Sequence, residues 1–83
     1  MSGKRTRLAR LEAVAEIIAD IADVEAFDVK PSVRLDSLGL DACDIGWLAS
    51  ELQDYFGLLT SAEDEKELET VEDVLNLLER IEE

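Results

Sequence analysis

The sequence predicts an all-α fold, a small bundle of three main helices and one short helix. Apolar residues recur at three- and four-residue steps through most of the chain, the period of a helix buried along one side. No stretch alternates apolar and polar residues as a half-buried strand does. The breaking signals, Pro31 and Gly57, fall between the periodic segments rather than inside them. Eighty-three residues allow one small domain, residues 1–83, and no second.

The first helix runs from about Thr6 to Ala22, with Leu8, Leu11, Val14, Ile18 and Ile21 on its apolar side. A long connection follows, from about Asp23 to Asp41, marked by Pro31 and its polar neighbours. The second helix spans about Ala42 to Phe56, and Ile45, Leu48, Ala49, Leu52 and Phe56 form one stripe along it. Asp41 stands just before it, where a carboxylate accepts a backbone N–H and favours the positive helix end. Gly57 supplies the stop. A short acidic helix covers roughly Ser61 to Leu68. The last helix opens at Thr70 with Asp73 three residues on, a capping-box-like start, and Val71, Val74, Leu75, Leu78 and Ile81 give its buried face.

Composition removes several function classes. The formal charge is −13, from 8 bases and 21 acids, against a nucleic-acid binder, which needs clustered Lys and Arg for phosphates. There is no His and one Cys. A zinc site, an internal disulfide and a His-assisted nucleophile are therefore not expected, and a reducing cytoplasm is. No window suits a bilayer crossing or a signal peptide. Hydrophobic residues make up 47% of the chain, too many for a disordered acidic tail. The first 34 residues hold six bases and six acids, and residues 35–83 hold two bases and 15 acids. The balanced part reads as structural, and the acidic part suits a basic partner surface. Carboxylates from Glu63 to Glu69 lack the glycine and alternation of a calcium loop, so no metal site is expected. No carboxylate pair has a catalytic setting, so no enzyme activity is expected.

Leu38-Gly39-Leu40-Asp41-Ala42-Cys43, followed by an acidic amphipathic helix ending in Phe56, resembles the acyl carrier proteins. In that family Leu-Gly-x-Asp-Ser-Leu opens the second helix, and its Ser carries 4′-phosphopantetheine, whose thiol holds acyl or peptidyl groups as thioesters. The resemblance implies a carrier in fatty-acid, polyketide or nonribosomal-peptide synthesis. It implies as partners a phosphopantetheinyl transferase and acyl-processing enzymes with basic docking patches. The charge, the lack of an apolar span and the single cysteine leave the expectation of a cytoplasmic monomer bound to neither nucleic acid nor membrane. It covers nearly the whole chain, with Leu38, Gly39, Asp41 and Cys43 as the attachment motif. The attachment position falls on Ala42, which has no hydroxyl, so no arm can be attached as written. The intact neighbours fit a Ser→Ala replacement that keeps the carrier unloaded. The alternative is a natural acidic adaptor or regulator on a carrier-like fold, with a nucleic-acid mimic as a weaker third option. Asp36-Ser37-Leu38 spells the family's tripeptide too, but Ser37 lies before the helix start and its spacing to Phe56 is too long.

Asp44, Trp47, Glu51 and Asp54 follow helical spacing away from the apolar stripe. A solvated face is the plain reading. Trp47 turns it toward partner recognition, since an exposed aromatic among acids is a common interface anchor. Where many carriers have larger apolar residues, this helix has Cys43, Gly46 and Ser50, which points to a specialised carrier with a dedicated partner. Cys43 reads as a small structural residue rather than a nucleophile. The basic start and the stop soon after the last helix suggest a freestanding protein.

Overall fold

The computed structural model describes residues 6–82. Lys4 and Arg5, counted above among the N-terminal bases, lie outside them. Four α-helices appear in order: α1 (Arg7–Ala22), α2 (Ala42–Phe56), α3 (Ala62–Lys66) and α4 (Val71–Glu82). Each of the three expected long helices is present. Thr6 caps α1, its hydroxyl accepting the Ala9 N–H at 3.1 Å. Asp23 ends the helix with φ at 60°, a left-handed conformation that Asp tolerates better than most residues.

Val14 and Ile18 of α1, Leu48 and Leu52 of α2, and Val71, Val74, Leu75 and Leu78 of α4 meet in one core. Three expectations need correcting. Leu8 is 64% exposed. It shares the side of α1 that carries Leu11 and Ala15 but sits in the first turn of the helix. Ile81 is half-buried, while Leu77 is buried. The third correction concerns the 23–41 connection, which contributes to the core instead of merely spanning it. Val29, Leu35 and Leu40 are buried there, among two short 3₁₀ turns at Ala26–Asp28 and Asp36–Leu38.

Backbone hydrogen bonds explain how that connection is held. The first amides of a helix have no partner within it. In α4, Val71 N–H donates to the Val33 carbonyl at 3.0 Å, and Glu72 N–H donates to the Pro31 carbonyl at 2.9 Å. Leu35 N–H donates in turn to the Glu69 carbonyl at 2.9 Å. The loop therefore completes the start of α4, and α4 fixes the loop.

The basic residues at the start of α1 face the acids of α4. Arg10 is buried and its Nε lies 2.9 Å from Glu82, while Arg7 Nη1 lies 2.7 Å from Glu79. These pairs offset part of the acidic excess of α4, the Arg10 pair largely buried and the Arg7 pair at the surface. Among the described residues no helix is long and apolar enough to cross a membrane.

Candidate functional site

The junction of the long loop and α2 is built by local capping. Gly39 has φ at 85°, a conformation that favours glycine. Leu38 packs partly against the core and Leu40 is buried, so apolar anchors sit on both sides of that glycine. Asp41 accepts the Asp44 N–H at 3.0 Å, and Asp44 accepts the Asp41 N–H at 3.2 Å. Two otherwise orphaned donors are satisfied at once. Ala42 is the first residue of the helix and is exposed. Beside it lies an open cleft of about 350 Å³, lined by Ala42, Ile45, Ala62, Glu65, Lys66 and Leu68.

Ser37 sits in a 3₁₀ turn, and its hydroxyl donates to the Arg34 carbonyl at 2.7 Å. In the same turn Arg34 makes a two-pronged pair with Asp36, at 3.1 and 3.2 Å. The Arg34 hydrogen bond and charge hold the Asp36 carboxyl below its usual range, and Asp36 raises Arg34 in return. Ser37 thus belongs to a closed local network and not to a helix start.

The four residues expected on one partner-facing side of α2 separate into three settings. Asp44 is half-buried and serves the cap. Asp54 is exposed. Trp47 and Glu51 turn toward α1 and, with Tyr55, line a groove of about 320 Å³ between the two helices. Tyr55, Glu16 and Asp20 of this groove were not singled out from the sequence. The four-residue steps from Trp47 to Glu51 to Tyr55 were the available signal. Cys43 is exposed in the first turn of α2.

At the far side of the cleft, α3 is closed by a second capping box between Ser61 and Asp64. The Ser61 amide, the Ser61 hydroxyl and the Arg80 charge hold the Asp64 carboxyl below its usual range, with partial desolvation opposing them. Arg80 Nη2 lies 3.0 Å from Asp64, tying α3 to α4. Thr60 donates to Glu65 at 3.2 Å. Asp64 and Glu65 of the acidic run are thus engaged in local structure, and among the described residues no group of carboxylates or thiols could hold a metal ion.

The molecule is thus a small four-helix bundle with a capped loop–helix junction at which Asp41, Ala42 and Cys43 are exposed. A family model described as a phosphopantetheine attachment site matches residues 12–78. The acyl carrier protein of Solidesulfovibrio magneticus is 34% identical over 70 residues, covering 83% of this chain and 90% of that protein. That of Thermobifida fusca is 37% identical over 71 residues, covering 84% and 90%. The crystal structure of an acyl carrier protein from Thermotoga maritima aligns with a TM-score of 0.80 at 20% identity, covering 90% of this chain and 88% of that one. The chain belongs to the acyl carrier protein family.

Proposed function

We propose that this chain is a single-domain, cytoplasmic, non-catalytic carrier-type protein held in the apo form because residue 42 is alanine. The observation that carries the reading is the junction itself. Ala42 is the exposed first residue of α2, directly after the Asp41 cap and the left-handed Gly39. A methyl group there does not fit covalent attachment, since no oxygen is available to form the phosphodiester. With Ser at 42, the helix N-terminus would favour the added phosphate's negative charge. Such a form would carry acyl or peptidyl intermediates of fatty-acid, polyketide or nonribosomal-peptide synthesis. Partner enzymes would dock on the acidic surface of α2. A second reading, a natural acidic adaptor with no arm, draws on the Trp47–Tyr55 groove, whose lining does not include residue 42.

The test is intact mass after incubation with coenzyme A and a promiscuous phosphopantetheinyl transferase. The Ala42→Ser protein gains one phosphopantetheine and the present chain gains none. If neither gains mass, the carrier reading falls and the adaptor stands. If the present chain gains mass, the register is wrong and Ser37 is the site.

A further inference from the structure

The groove between α1 and α2 combines three properties. Its apolar lining, Ala13, Ile17 and Ile21, is only partly buried against the core. Two aromatic rings on α2 border it, with Trp47 52% and Tyr55 60% exposed. Three carboxylates, Glu16, Asp20 and Glu51, complete the lining, and no base contributes to it. Among the described residues, no Lys or Arg lies within salt-bridge distance of these three acids. The α1 arginines that could reach acids are engaged with α4.

Exposed rings beside uncompensated carboxylates match one kind of side chain, a cation on an apolar stem. A guanidinium or ammonium gains from the ring face and the carboxylates together, and its methylenes cover the apolar lining. Arginine suits this best, because its plane stacks on indole and pairs with carboxylates. We propose that the α1–α2 groove is the docking site for a basic segment of a partner protein, which places an arginine or lysine between Trp47, Tyr55 and the acids. The inference rests on α2 being a docking helix, and it assigns the contact to the α1 flank. Trp47, Glu51 and Tyr55 lie roughly half a turn around the α2 axis from Ala42. A partner seated there leaves the loop–helix junction uncovered, and its binding does not depend on residue 42.

Trp47 is the chain's one tryptophan, so its fluorescence reads the groove directly. The probe is an amphipathic peptide with arginine and leucine at four-residue spacing, titrated into the intact protein with amide shifts followed by NMR. Expected are a change in Trp47 emission and shifts centred on residues 13–21 of α1 and on Trp47, Glu51 and Tyr55 of α2. Glu16→Lys with Glu51→Lys should weaken binding by about tenfold or more. The matched reversal Glu63→Lys with Glu67→Lys should weaken it far less, and Ala42→Ser should leave it unchanged. If the two reversals weaken binding equally, attraction to the net charge explains it and the groove is overturned. If the shifts centre on Asp54 and the outer face of α2, the groove fails while the docking-helix reading survives. All the reversed residues are exposed, and retained helical circular dichroism verifies that each variant folds.

Discussion

Replacing Leu35 with alanine tests whether the long loop is part of the core. Leu35 is 2% exposed and lies in the single buried cluster, yet it belongs to no α-helix. Truncating a buried Leu to Ala costs roughly 2–5 kcal/mol, from lost transfer energy plus the cavity left behind. A chain of this length has a total stability of about 4–12 kcal/mol, so the change removes a large fraction. With about 4–8 °C of melting temperature per kcal/mol for a domain this size, the midpoint should fall by at least roughly 8 °C. Phe27→Ala in the same connection is the control. Phe27 is 73% exposed, and its truncation should stay within about 0.5 kcal/mol.

The assay is thermal and urea unfolding followed by circular dichroism, paired with amide hydrogen exchange. Val71 and Glu72 donate to loop carbonyls, so their amides should lose protection in Leu35→Ala before those in the middle of α4. Equal melting temperatures for the Leu35 and Phe27 variants would refute the reasoning. The loop would then be a passive connector, and the Val33 and Pro31 carbonyls would not be what holds the start of α4.

Gly46→Ala should stabilise the protein by about 0.5–1 kcal/mol, because glycine is a poor interior helix residue and an added Cβ meets nothing within 4 Å. A lowered melting temperature would contradict that geometry. Asp64 should titrate below the usual carboxylate value of about 3.9, as its Ser61 and Arg80 partners require. A carboxyl with a depressed folded pKa contributes stability that is complete above its unfolded value and lost as pH falls through the folded one. The α3–α4 tie should therefore persist at neutral pH and loosen only below about pH 4. An Asp64 carboxyl NMR midpoint at or above the usual value counts against it. The melting temperature should rise with salt between low and physiological ionic strength, as screening shortens from roughly 30 to 8 Å and relieves the repulsion of a −13 chain. A flat or falling dependence would show that the Arg7 and Arg10 pairs outweigh that repulsion.

Helix existence and ends were legible because they rest on local signals. Apolar period, Asp41, Gly57 and the Thr70–Asp73 pair act within a few residues, and α2 and α4 follow them. What escaped the sequence depends on long-range contact. Leu35 and Leu40 stand without periodic neighbours, and only the pairing of residues 31–35 with 69–72 buries that part of the chain. Leu8 fits the α1 pattern but stays exposed in the first turn of the helix. Asp44 was read only as part of a partner face, and its reciprocal bond with Asp41 gives it a capping role as well. The aromatic–acidic groove needed α1 and α2 side by side, which no single-helix pattern contains.

The same distinction bears on what alanine at position 42 does. Ala42 is exposed, lies outside the core and occupies the first helical position. Exchanging Ala for Ser in a helix changes stability by about 0.5 kcal/mol, a small part of the total. The junction is held by the Asp41–Asp44 box, by Gly39 and by buried Leu40. None of these depends on the atom that would bear an arm. Stability therefore gives almost no resistance to a change between serine and alanine there. On the proposed reading, the chain retains the elements that present residue 42 and has no side-chain oxygen there for an arm. The α1–α2 groove is built from other residues and is equally indifferent to that atom. Under the two proposals, loading at residue 42 and docking in the groove use separate residues, so the Ala42→Ser mass experiment and the groove titration address each without disturbing the other.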